Sequence, residues 1–143
     1  MTAAGKPESK PERRDVEQAW VDFYAAYADA AALSDPELKD WRDRMTPAGY
    51  QKLRGNIDIL KKDGQRQVGP VQMNPVVVLV QGRQAALSDC LDGSRTKIED
   101  RGGKLVQKGP QKPVPFQVRL VRQGSAWLVD GIELKDTNGR CAG

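Results

Sequence analysis

The chain has 143 residues, a formal net charge of +4, two cysteines and no histidine. A chain of this length fits one domain with a single hydrophobic core. The lack of histidine excludes a cysteine–histidine nucleophilic pair, and two cysteines alone are too few for a zinc site, so we expect neither a metal nor another cofactor.

The first fourteen residues, MTAAGKPESKPERR, contain no bulky apolar side chain after Met1. Because they cannot contribute to a core, we predict a disordered tether over residues 1–14 and one folded domain over residues 15–143. This stretch also lacks the apolar segment of a signal peptide. No run elsewhere is long and apolar enough to predict a transmembrane helix.

The next fifty residues carry helical signals. Asp15 can act as the N-cap of a first helix, whose apolar face repeats at spacings of three and four residues. That face consists of Val16, Trp20, Phe23, Tyr27 and Ala31. A second, short helix is predicted after Ser34, and a third after Thr46-Pro47, which ends at Gly64.

After Gly64 the apolar pattern changes. The stretch PVVVLVQGRQAALSDCLDG predicts two strands joined by a hairpin near Gly82. Further turn signals at residues 101–103 and 123–125 separate more strands, and apolar and polar residues alternate over residues 113–122. Helices followed by an antiparallel meander predict an α+β protein, with N-terminal helices packed on an antiparallel sheet of four to six strands.

The two cysteines, Cys90 and Cys141, have no further ligands at metal-binding spacing. They form either a disulfide or two free thiols. A bond would close a loop of about fifty residues, which is worth on the order of 4 kcal/mol in the chain-entropy description. Since structural disulfides persist outside the cytosol, we predict the disulfide together with an extracellular or cell-envelope location.

A run of basic residues without any Asp or Glu follows the second turn signal. Its members are Arg101, Lys104, Lys108, Lys112, Arg119 and Arg122. Such a face could bind phosphates or an anionic membrane surface. The simpler interpretation is a solvated hairpin whose long side chains keep edge strands soluble. Only Phe116 supplies an aromatic ring within the run, which argues against nucleic-acid binding by base stacking.

The order of a long helix, two shorter helices and at least four antiparallel strands resembles the NTF2-like (SnoaL-like) cone. The segment SAWLVDGIEL is similar to the last strand of that family. The segments AWVDFYAAYADAAALSDPEL, KKDGQ, SDCLDGS and GRC are similar to small secreted or lipid-anchored actinobacterial proteins whose activity is unassigned. The resemblance covers residues 15–141. It implies a curved sheet, export, and a tether left after an export signal or lipobox was removed.

The resemblance also implies where chemistry would occur, because the enzymes of this family place an Asp–His or a Tyr–Asp pair inside the cone. Here only a tyrosine–carboxylate version is available. Alternation along the strand puts Cys90 and Asp92 on one face and Asp89 on the other. With Cys90 facing inward or lying at the rim, Asp92 is the candidate pocket acid, although an Asp before Gly commonly caps a turn.

The candidate pocket residues are Trp20, Tyr24, Tyr27, Asp92, Phe116 and Trp127. The aromatic members could line a ligand cavity. They could equally form the core, since each aromatic side chain buries a large apolar area and the helices carry few other large side chains.

Three functions follow from these observations. The first is a non-catalytic exported domain that binds a protein partner or a cell-envelope component, with a homodimer through the sheet face. We expect membrane attachment in this case only through an N-terminal anchor that is absent from the sequence. The second is a small-molecule binder or SnoaL-like isomerase or cyclase that uses the cone interior. The third is electrostatic binding of an anionic polymer or lipid surface by the basic strand face.

Overall fold

The computed structural model describes residues 10–135 and residue 141. Within these residues, four helices come first and seven strands follow them. The helices are α1 (Lys10–Leu33), α2 (Lys39–Arg42), α3 (Pro47–Leu53) and α4 (Gly55–Asp63). The strands are β1 (Gln65–Val68), β2 (Val76–Gln81), β3 (Gln84–Leu91), β4 (Lys97–Asp100), β5 (Leu105–Lys108), β6 (Val114–Gln123) and β7 (Ala126–Leu134).

Helix α1 begins at Lys10, five residues before the N-cap predicted at Asp15. The added turn, KPERR, is rich in good helix formers but lacks apolar residues, so the apolar period gives no sign of it. Part of the predicted tether is therefore helical, and Arg13 in this turn donates a hydrogen bond to the carbonyl of Val77 on β2. Residues 1–9 lie outside the described residues.

The predicted third helix is two helices that meet at Arg54. As predicted, Thr46 caps the first of them, because its hydroxyl accepts a hydrogen bond from the amide of Gly49 at 3.1 Å. The second helix ends at Gly64, which adopts the left-handed conformation with φ of 66°. Glycine adopts this conformation without the steric cost that a Cβ would add.

The strands form two antiparallel sheets. One has the order β2-β3-β6-β7 and the other the order β1-β4-β5. Helices packed on antiparallel sheets confirm the predicted α+β class, although the described residues contain seven strands rather than four to six. The additional strand is β1, where the sequence QRQV lacks an apolar alternation.

The core lies between α1 and the four-stranded sheet. On α1 the side chains of Val16, Trp20 and Phe23 are fully buried, which confirms the predicted apolar face. Opposite them lie the buried side chains of Leu87, Val118, Leu120 and Val129. Burial of each such side chain contributes roughly 1.5–3 kcal/mol, so this contact holds the helix on the sheet.

The segment between α2 and α3 covers the outer edge of β7. Backbone hydrogen bonds join Thr46 N to Val129 O at 3.0 Å and Val129 N to Arg44 O at 2.9 Å. Helix α3 then approaches the strand so closely that a Cβ on Gly49 would lie 2.8 Å from the carbonyl oxygen of Asp130. The edge of the four-stranded sheet opposite β7 is β2.

Candidate functional site

Strand β3 places one carboxyl group in the interior. Its side chains alternate, and Ala85, Leu87, Asp89 and Leu91 are the buried set. Asp89 is only 2% exposed. Its two oxygens accept hydrogen bonds from Trp20 Nε1 at 2.6 Å and from the backbone amide of Asn74 at 2.7 Å. Asp89 is thus a buried acid with one donor on each carboxylate oxygen.

The environment of Asp89 shifts two pKa values. Burial raises the pKa of the Asp89 carboxyl above its usual 3.8, while the hydrogen bonds from Trp20 and Asn74 oppose that rise. Burial, with Tyr27 and Asp89 nearby, raises the pKa of Tyr24 to about 12. Tyr24 therefore remains neutral at physiological pH and is a poor general base.

The structure corrects the assignment of the pocket acid to Asp92. Cys90 faces outward from the sheet, so the inward face of β3 carries Asp89 instead. Asp92 begins a turn, where its Oδ1 accepts a hydrogen bond from the amide of Ser94 at 3.0 Å. The hydrogen bonds from Ser94 lower the pKa of Asp92. The turn-capping alternative therefore describes Asp92.

The predicted pocket aromatics pack in or against the core, and two of them, Tyr24 and Tyr27, also line one small cavity beside α1. Trp20 and Trp127 are core residues, 0% and 8% exposed. Trp20 stacks on Phe23 with ring centroids 5.6 Å apart. Tyr24, Tyr27 and Phe116 are partly buried and pack against the same core. The core interpretation of the aromatic residues therefore accounts for their positions.

A small cavity of about 190 Å³ lies between α1 and the β1 region. Tyr24, Tyr27, Val71 and Thr96 are among its lining residues, whereas Asp89 does not line it. Ligand pockets usually enclose about 300–1,000 Å³, so this space is smaller than most. The interior acid and the interior cavity are therefore separate features.

The predicted disulfide between Cys90 and Cys141 is present, with the two Cα atoms 5.8 Å apart. Because Cys90 lies on the outer face of β3, the bond holds Cys141 against that face. Among the residues that the structure describes, no group of three or more metal-ligating side chains comes together. Within the same residues, no helix is both long and apolar enough to cross a membrane.

The comparisons with known proteins indicate the fold. No family model matches the chain, and a search of curated proteins finds no match. Among solved structures, a protein of unknown function from Mycobacterium tuberculosis is similar over 92% of this chain and 77% of its own, with 16% identity and a TM-score of 0.61. A protein of unknown function with a cystatin-like fold from Nostoc punctiforme covers 90% of this chain and 95% of its own, with 12% identity and a TM-score of 0.51.

The association domain of CaMKII from C. elegans is also similar, over 86% of this chain and 97% of its own, with 12% identity and a TM-score of 0.52. The chain has the NTF2-like, cystatin-like fold. At these identities the likeness shows the fold alone. The predicted resemblance to the NTF2-like cone is confirmed at this level.

The NTF2-like fold divides the predicted basic face between two sheets. On β6, Arg119 forms an ion pair with Glu133 at 2.7 Å, and the Arg122 guanidinium lies 5.7 Å from the centroid of the Trp127 ring. The other four residues, Arg101, Lys104, Lys108 and Lys112, lie on the β4–β5 hairpin and the loop after it. The six residues therefore do not form one face.

The NTF2-like sheet also exposes apolar residues that the sequence analysis did not single out. On edge strand β2 the side chains of Val76, Val78 and Leu79 are 62%, 59% and 47% exposed. We call these three residues the β2 patch. A register shift between Val77 and Leu79 marks a bulge in this strand. The uninterrupted VVVLV sequence could have predicted this exposure, because a strand with only one buried face must expose some of these residues.

Proposed function

We propose that this chain is a non-catalytic exported domain that binds a protein partner or a cell-envelope component through its surface. The observation that carries the proposal is the state of the interior carboxyl group. Asp89 is buried, has a hydrogen-bond donor on each oxygen and does not line the interior cavity. An acid held in this way positions Trp20 rather than a substrate.

The disulfide supports the exported location. Cys90 and Cys141 are bonded in the structure, and disulfides of this structural kind persist in oxidising compartments. In a reducing cytosol the two thiols would remain reduced, and no covalent bond would hold Cys141 to β3.

The β2 patch is the surface that we assign to the partner. Its three aliphatic side chains lie side by side on an edge strand without any charged residue. Exposed apolar residues that cluster in this way are typical of interaction sites. Arg119 and Glu133 lie on the outer face of the same sheet, so a second copy of the chain could exchange these charges across a two-fold axis.

Site-specific photo-crosslinking in cells that produce the chain tests this assignment. A photoreactive amino acid in place of Val78 should give a discrete crosslinked product, whose mass distinguishes a second copy from another protein. The matched control replaces Ile59, which is equally exposed (59%) but lies on α4. The absence of a product from position 78, or equal products from both positions, would contradict the assignment.

A further inference from the structure

The β4–β5 hairpin projects a basic and apolar surface away from the core. Strand β5 is an edge strand, and all four of its residues are exposed. Leu105 and Val106 are 49% and 48% exposed. Basic residues flank them in the sequence and the hairpin, namely Arg101, Lys104, Lys108 and Lys112. We call these six residues the hairpin surface.

Among the described residues, the cations of the hairpin surface have no ion-pair partners. Within residues 10–135 and residue 141, no ion pair involves Arg101, Lys104, Lys108 or Lys112. Lys108 lies directly across from Lys97 in the β4–β5 register, and Lys97 forms an ion pair with Glu99 at 3.5 Å. An anionic surface close to this hairpin would supply a counter-charge for Lys108.

The apolar residues decide between the two interpretations of the basic hairpin. Lysines alone would keep an edge strand soluble. A solubilising role does not require the two neighbouring aliphatic side chains that begin β5, between Lys104 and Lys108. Aliphatic side chains between lysines match a lipid interface, where the apolar groups enter the headgroup region and the ammonium groups bind phosphates.

We propose that the hairpin surface binds the surface of an anionic phospholipid bilayer. Leu105 and Val106 enter the headgroup layer, while the surrounding cations bind lipid phosphates. The contact leaves the β2 patch free, because that patch lies on the other sheet. Membrane contact then occurs through the folded domain itself as well as through any N-terminal anchor.

Co-sedimentation of the purified chain with vesicles tests the proposal. We expect binding to vesicles of equal parts phosphatidylglycerol and phosphatidylcholine, a steep loss of binding with added salt, and no binding to pure phosphatidylcholine. The K104Q/K108Q variant should bind roughly thirtyfold more weakly, since each lysine near an anionic membrane contributes about 1 kcal/mol. The matched control, K61Q/K62Q on α4, removes the same charge from two exposed lysines and should bind almost normally.

The apolar contribution needs its own variant. L105S/V106S keeps every charge, and we expect its binding to fall roughly tenfold. In addition, V106W should add a tryptophan emission that shifts to the blue with vesicles and is quenched by brominated phosphatidylglycerol. The three native tryptophans are buried and should respond little.

Two results would overturn the proposal. Equal losses from K104Q/K108Q and K61Q/K62Q would show attraction by net charge alone. Unchanged vesicle binding by L105S/V106S, together with equally strong binding of the wild type to duplex DNA, would show a general polyanion site. All the variants change exposed side chains, so superimposable thermal unfolding curves provide the folding control.

Discussion

The contact between Asp89 and Trp20 joins two residues that are 69 positions apart in the sequence. It connects the middle of α1 to β3 across the core. Trp41 provides a useful contrast, because its indole N–H is also buried but has no hydrogen-bond partner among the described residues. Both tryptophans are fully buried, but only Trp20 donates a hydrogen bond to a buried carboxyl group.

This contrast predicts different costs for one substitution. Both W20F and W41F remove the same volume from the core. Only W20F leaves the Asp89 carboxylate without its indole donor, and this unsatisfied group adds about 1–3 kcal/mol to the loss of stability. We therefore expect W20F to lower the free energy of unfolding by that much more than W41F, as measured by urea denaturation at neutral pH. Equal losses would show that the hydrogen bond contributes nothing to stability.

The two aspartates of β3 and its turn should respond to pH in opposite directions. The pKa of Asp89 is raised in the folded state, so its contribution to stability is present below pH 3.8 and is lost as the pH rises through the folded pKa. The pKa of Asp92 is lowered, so its contribution is present above pH 3.8 and is lost as the pH falls through its folded pKa.

Urea denaturation across the acidic range measures these contributions. The free energy of unfolding of D89N, relative to the wild type, should rise as the pH increases from below 3.8 towards neutral. The free energy of unfolding of D92N, relative to the wild type, should fall as the pH increases through the titration range of Asp92. Slopes of the same sign in the two variants would contradict the assignment of the inner and outer acid.

The sequence limits how far the site could be predicted. Alternation predicted that Asp89 and Asp92 lie on opposite faces; in the structure Asp89 is on the inward face of β3, and Asp92 follows the strand in a turn. Which of them faces inward depended on the side taken by Cys90, and one step of register reverses every assignment on a strand. The disulfide alone does not fix that side, because a bond can lie on either face.

The disulfide is the principal covalent constraint between the secondary-structure elements. It joins residues that are 51 positions apart, across β4 to β7. In the chain-entropy description this loop lowers the entropy of the unfolded chain by an amount worth about 4 kcal/mol. Cys90 lies beside Pro115 in the β3–β6 register, so the bond holds Cys141 next to β3 and β6.

Removal of the bond should destabilise the domain without changing its fold. We expect C141S to lower the free energy of unfolding by up to about 4 kcal/mol, measured by urea denaturation without reductant. A reductant should lower the free energy of unfolding of the wild type to the level of C141S. It should leave that of the double variant C90S/C141S unchanged. If reductant shifts the double variant as much as the wild type, then the stabilisation does not come from this bond.

The elements that the sequence predicted are those with a strong apolar period. The apolar faces of α1 and of β6 have this signal, as does the hairpin at Gly82. The first turn of α1 and the strand QRQV do not, because their residues are polar and their conformation depends on neighbours in the fold. Strand β1 is set by pairing with β4, where Arg66 meets Glu99.

Within the described residues, the space between α1 and the four-stranded sheet is packed with side chains. The aromatic residues of α1 pack into the core, the interior acid has its partners, and the cavity beside α1 is small. The outward features are on different sheets, with the β2 patch on one and the hairpin surface on the other. This separation would allow a protein partner and a membrane to bind together.

We propose above that the interior of the domain is structural and that binding occurs at its surface. The most direct test is an NMR titration of the ¹⁵N-labelled chain with small aromatic and carboxylic compounds such as phenol, indole and benzoate. The resonances of the Trp20 indole N–H and the Asn74 amide report on the interior, because both groups bind Asp89. We expect these two resonances to stay unchanged with every compound. A saturable shift of both, abolished in D89N, would show a ligand site in the interior and overturn the structural role of Asp89.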